Sequence, residues 1–161
     1  MPDDFPLQSQ TPDSLMLFGF WYRALPSDQV RAGELSKAML LEQPLVIGRD
    51  QQGKAFALRD ACPHRGMPLS CGHFDGNEIE CSYHGWKFDA HSGQCKLIPS
   101  LVVEQTLKFD RIYAGSYPCE ERDAFIWVHI PDPSPVGAGF TSYRNPNVTV
   151  VISEAFQVSC M

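Results

Sequence analysis

The residues best suited to chemistry are two short Cys/His pairs: Cys62-x-His64, sixteen intervening residues, then Cys81-x-x-His84. Thiolate is a soft ligand and imidazole a borderline one, the donors that hold zinc or iron, and two such pairs on opposed loops can converge on one site. The spacing alone admits two arrangements. In one, a single zinc takes all four side chains. In the other, two irons share bridging sulfides, with Cys62 and Cys81 on one iron and His64 and His84 on the other. Gly66 and Gly85 stand directly after the loop cores, where the backbone must bend tightly and approach whatever the loops hold. A zinc module has no need of that second pattern.

The elements that position these loops read as short strands. Prolines number 13 and glycines 12, spread along the chain between short apolar runs, which is the pattern of many strands joined by turns. An all-β, antiparallel fold follows. An aromatic-rich strand is expected over residues 18–24, and the apolar run 15–21 is read as a buried strand. A hairpin is expected where 44–49, the turn Asp50-Gln51-Gln52-Gly53 and 55–58 run toward Cys62. Further turns at Asp75-Gly76-Asn77 and at Ala90-His91-Ser92-Gly93 separate strands at 78–81, 86–88 and 94–97. Later strands are expected at 112–115, 125–130 and 148–152. Residues 31–42 stay unassigned, because Leu35, Met39 and Leu40 have near-helical spacing yet lead straight into an extended run.

Composition narrows the function. At 161 residues the chain allows one compact domain, or one and a small appendage, but not two full enzyme domains. With 13 Lys plus Arg against 19 Asp plus Glu, a net charge of -6 leaves no basic surface for a nucleic acid. Hydrophobic residues make up 43% and charged residues 20%, enough to form a core and far from a disordered composition. Residues 1–14 lack a positive start and an apolar stretch, so no export signal is expected, and 15–21 falls short of the roughly 20 residues that cross a bilayer. A cytoplasmic protein without a transmembrane segment is the expectation. Its six cysteines therefore point to metal ligation before a disulfide framework.

CPHRG at 62–66 followed by CSYHGW at 81–86 resembles the paired cluster-binding loops of Rieske iron-sulfur proteins. The resemblance implies a Rieske-type [2Fe-2S] cluster as cofactor, with Cys62, His64, Cys81 and His84 as its ligands. It also implies an antiparallel sandwich bearing a small two-loop subdomain, and one-electron transfer as the function. Members from respiratory and photosynthetic complexes carry a disulfide between the loops; here Met67 and Tyr83 occupy those positions. The same members place Ser and Tyr hydroxyls after the second His; here Trp86 and Phe88 stand there, with no hydroxyl to donate to cluster sulfur. Fewer donors mean a lower potential, toward roughly -150 mV and away from about +300 mV.

These replacements are the pattern of Rieske oxygenases and ferredoxins. FWYRAL at 20–25, LVIGRDQQGKAFALRDACPHRG at 45–66, Gly93-Gln94-Cys95 with Ile98-Pro99, and 125–128 resemble the amino-terminal domain of Rieske terminal oxygenases, in the group of aromatic O-demethylases and pheophorbide-type oxygenases. Complete members add a domain whose two His and one carboxylate hold a mononuclear iron, and His73, His91 and His129 do not make that motif. The expected organisation is a loose arm over 1–15, the Rieske domain over 16–135, and a linker with the start of a truncated catalytic domain over 136–161.

The partners implied are a reductase or ferredoxin as electron donor and a catalytic non-haem iron domain or subunit as acceptor. The chain is thus expected to be the oxidoreductase relay of an oxygenase, with no catalytic residues of its own. A free-standing Rieske ferredoxin is the first alternative, and a zinc-stabilised interaction module the remote one. His73 and His91 are read as surface turn residues, and His129 as a packing or surface residue. Cys71 does not fit the ligand spacing, and Cys95, Cys119 and Cys160 are read as reduced thiols. Trp86 and Phe88 are expected to pack over the loops, and Tyr83 to pack or to donate near the cluster.

Overall fold

The computed structural model describes residues 17–101 and 108–132. These residues form the strands β1 (Phe20–Pro26), β2 (Leu35–Leu40), β3 (Gln43–Arg49), β4 (Ala55–Arg59), β5 (His73–Phe74), β6 (Glu78–Glu80), β7 (Lys87–Asp89), β8 (Cys95–Leu97), β9 (Ser116–Tyr117), β10 (Cys119–Arg122) and β11 (Phe125–Ile130). Helical structure among them is limited to short 3-10 turns at Ser27–Gln29, Leu69–Cys71 and Phe109–Arg111. The strands make three antiparallel sheets, in the orders β1-β11-β10, β2-β3-β4-β9 and β5-β6-β7-β8. The chain is all-β.

Side-chain alternation places the second sheet between the other two. Leu45 and Ile47 of β3 and Ala55 and Ala57 of β4 join Tyr22, Ile126, Val128 and Ile130 in one core. Val46, Phe56 and Leu58 point the other way, into a core shared with Leu69, Phe74, Ile79 and Phe88. Because β3 and β4 are buried on both faces, they read as continuous apolar runs, whereas β11 alternates buried with partly buried residues. Fully burying side chains of this size is worth about 1.5–3 kcal/mol each. The second core lies behind the Cys/His loops and includes Cys62 and Cys81 themselves.

Turns at one end of the strands lock the second and third sheets together. Asp50, Asp75 and Asp89 each begin a hairpin turn and accept backbone amides with a side-chain oxygen: Gln52 and Lys54, Asn77 and Glu78, His91 and Ser92 respectively. The turns also bond one another. Gln51 donates its amide to the Gly76 carbonyl at 3.2 Å, Ala90 donates to Asn77 at 2.9 Å, and His91 Nε2 lies 2.7 Å from Asp50 Oδ2. The Cys/His loops leave from the opposite ends of β4, β6 and β7.

Several expectations need correction. Residues 112–115 are not a strand: Tyr113 makes one bridge to Gln94, and Gly115 at φ 69° redirects the chain before β9 pairs with β4. Of the run 15–21, residues 15 and 16 lie outside the described residues, and 17–19 are not part of a buried strand, since β1 begins at Phe20 and Leu17 is exposed. The unassigned region 31–42 contains β2, whose Leu40 is buried while Met39 faces water. Strands β5, β9 and β10 are not among those expected. The run 148–152 lies outside the described residues.

Candidate functional site

Two loops carry the four candidate ligands. The first, residues 60–72, joins β4 to β5; the second, residues 81–86, joins β6 to β7. Their backbones repeat one hydrogen-bonded frame. In the first, the Cys62 amide donates to the Met67 carbonyl at 2.7 Å and the Cys62 carbonyl accepts from Gly66 at 2.8 Å. In the second, the Cys81 amide donates to Trp86 at 2.8 Å and the Cys81 carbonyl accepts from Gly85 at 3.0 Å. Each frame closes on a glycine in the left-handed region, φ 72° at Gly66 and 68° at Gly85, which side chains disfavour. Within these matching frames His64 is two residues after its Cys and His84 three after its own.

The four side chains segregate into two pairs. Cys62 and Cys81 are buried, 2% and 3% exposed, with their thiols in hydrogen-bonding reach of one another. Burial and the neighbouring Cys81 thiol push the Cys62 thiol up, against the backbone amides of His64 and Arg65, which donate toward its sulfur and pull the other way. His64 and His84 are exposed, their ring centroids 4.7 Å apart and edge to face. Desolvation, and then the neighbouring His84 and Arg65, hold the His64 imidazole below its ordinary value. Among the described residues no three His, Cys, Asp or Glu side chains converge as ligands of one ion. Two buried thiols and two exposed imidazoles, each pair to itself, suit a two-iron cluster better than a single tetrahedral zinc.

Other residues fix the loops from outside. Asp60, at the start of the first loop, accepts the Ser70 amide at 2.7 Å and the Ser70 hydroxyl at 2.6 Å. Gly72 ends that loop where a Cβ would strike the backbone oxygens of Glu80 and Leu69. Trp86 stacks on His64 with centroids 4.7 Å apart, and Tyr83 tilts over His84 at 3.9 Å. Phe88 is fully buried, its ring 6.4 Å from that of Trp86. Packing over the loops was expected of Trp86 and Phe88; the specific stack on His64 was not.

The remaining candidates fall elsewhere. His73 is exposed on β5 opposite Glu80, and His129 packs edge-on against Trp21 at 5.5 Å. His91 is more than a surface turn residue, since it pairs with buried Asp50 and meets the Phe56 ring at 5.8 Å. Cys95 and Cys119 are free thiols, raised by burial, Cys119 to about 12. Cys160 lies outside the described residues. Sequence reading missed the Asp60–Ser70 and Asp50–His91 contacts, which join residues 10 and 41 positions apart without any local signal.

Antiparallel sheets bearing two opposed, glycine-closed Cys/His loops define a domain of the iron-sulfur class. The chain belongs to the Rieske [2Fe-2S] domain family, which matches it over residues 20–109. It is 37% identical over 112 residues to chlorophyllide a oxygenase of Chlamydomonas reinhardtii, covering 70% of this chain and 16% of that protein. It is 30% identical over 131 residues to the 4beta-methylsterol monooxygenase of Methylococcus capsulatus, covering 81% of this chain and 35% of that protein. Among solved structures, dicamba monooxygenase superposes with a TM-score of 0.62 at 34% identity, covering 71% of this chain and 34% of that one. The chain thus spans about a third or less of the relatives it matches. Family membership implies a Rieske-type [2Fe-2S] cluster as cofactor. Among the described residues no helix is long and apolar enough to cross a membrane.

Proposed function

We propose that Cys62, His64, Cys81 and His84 hold the [2Fe-2S] cluster and that the chain is the one-electron relay of a Rieske-type oxygenase. The observation that carries this reading is the segregation of the four side chains into a buried thiol pair and an exposed imidazole pair, on two loops with a common backbone frame. Bound by these four side chains, such a cluster would supply one-electron transfer. The chain's own residues prepare for that. Burial of Cys62 and Cys81 keeps water from the sulfur side, and the amides of His64 and Arg65 supply donors there. The exposed rings of His64 and His84 sit at the surface, where a donor reductase or ferredoxin and an acceptor non-haem iron domain or subunit can approach.

Iron and acid-labile sulfide in the purified chain, with a Rieske EPR signal on reduction, test the assignment. Changing His64 or His84 to Cys or Ala abolishes that signal, whereas changing His73 leaves it. Zinc without sulfide, or survival of the signal without either His, overturns it. The relay reading is separated from a free-standing ferredoxin by the coding sequence after Met161: an in-frame catalytic domain supports the relay, and a stop beside a separate oxygenase gene supports the ferredoxin.

A further inference from the structure

Trp86 belongs to the second loop, yet its indole lies flat on His64 of the first, with centroids 4.7 Å apart and planes 2° apart. Tyr83, by contrast, covers His84 of its own loop. Trp86 is anchored on its own side. Its carbonyl accepts the Cys81 amide at 2.8 Å, and its ring abuts buried Phe88 at a centroid distance of 6.4 Å. The indole is therefore a fixed plate against which the imidazole of the other loop rests. The first loop has no comparable aromatic in return, since its exposed residues beside His64 are Pro63, Arg65 and Gly66.

We propose that Trp86 is the positioning residue for His64: it straps the first loop to the second and holds the cluster at a lower potential than the loops alone would. This rests on the ligand assignment above. Two effects of the stack have the same sign. An imidazole bound to ferric iron carries more positive charge than one bound to ferrous iron, and the negative face of an indole favours the more positive state. Two thiolates and two neutral imidazoles leave the oxidised cluster uncharged and the reduced one singly negative, so an apolar plate that excludes water disfavours reduction. Both effects stabilise the oxidised form. Removing the indole makes reduction easier.

The test is an EPR-monitored redox titration of the cluster-loaded chain beside its Trp86→Leu and Trp86→Phe variants, with Trp127→Phe in the outer sheet as control. The Leu variant is expected to shift the reduction equilibrium constant about 5-fold toward the reduced state, the usual worth of a close aromatic contact. The Phe variant, which keeps a smaller plate, is expected to shift less and in the same direction, and Trp127→Phe not at all. Cluster loss to a chelator is expected to run several-fold faster with Leu and to be largely restored with Phe. Should the Leu variant fail to load, Phe against the parent decides the matter. Coincident titrations of parent and Phe or Leu variants overturn this proposal alone; a parent without a Rieske signal overturns the ligand assignment and this with it.

Discussion

Asp60 grips Ser70 with both carboxylate oxygens, at 2.7 Å to the amide and 2.6 Å to the hydroxyl, and so closes the loop that carries Cys62 and His64. Asp60 is 8% exposed, so its removal strands two partly buried donors with little access to water. Asp60→Ala is expected to cost about 1–3 kcal/mol. Chemical denaturation measures the loss, and Asp60→Asn, which retains an acceptor, should lose less. Equal stability of parent and Ala variant would show that the clamp does not hold the loop.

Gly72 is held by crowding and not by dihedral angle: its backbone is extended, at φ -87°, and the obstacles to a Cβ are carbonyl oxygens of Glu80 and Leu69. Backbone atoms cannot rotate away as a side chain does. Gly72→Ala is expected to destabilise the domain by about 1–3 kcal/mol and to lower cluster occupancy. A thermal melt and an iron determination check both; an unchanged melt would mean that the loop and β6 part at no cost.

Acid should unlock the turns. The amides of Glu78 and Asn77 hold Asp75 below the usual carboxylate value, and at Asp89 the amides of Ser92 and His91 and the Ser92 hydroxyl outweigh the opposing effect of burial. A folded-state value below the unfolded one stabilises the fold above the ordinary carboxylate range, and that contribution is lost as pH falls through the folded value. Melting temperature is therefore expected to be level down to about pH 5 and to decline below about pH 4. Asp75→Asn and Asp89→Asn should each make the decline shallower. An acid limb identical to the parent's in both variants would remove these carboxylates from the account.

The positions after His84 bear on the potential. Trp86 and Phe88 carry no hydroxyl, so neither can donate one to cluster sulfur. A midpoint near the low end of the Rieske range, about -150 mV, is expected. Potentiometry decides it, and a value well above zero would show that other donors compensate.

Much of this was legible in the sequence because the informative signals were local. The Cys/His spacing and its glycines sit within 25 residues, and the turns at Asp50, Asp75 and Ala90 are announced by their own residue types. What escaped had no such mark. The β2–β3 and β10–β11 hairpins turn at Leu41-Glu42 and Asp123-Ala124, all four in the left-handed region that Gly and Asn ordinarily supply. A turn built from Leu and Glu looks like the middle of an element, which is why 31–42 resisted assignment. The charged run of β10 lacks the alternation that marks a strand, and its pairing is imposed by β11. Contacts such as Trp86 on His64 depend on how two loops face each other, which spacing does not encode.

The shared frame of the two loops has a further consequence. Its geometry rests on main-chain bonds of Cys62, Gly66 and Met67 in one loop and of Cys81, Gly85 and Trp86 in the other. The side chains of Pro63, Arg65, Ser82 and Tyr83 take no part in those bonds and stand exposed around the two imidazoles. The tip is therefore built like a socket with an interchangeable rim: charge, bulk and polarity around the histidines can be rewritten at four positions without touching the frame that sets them in place.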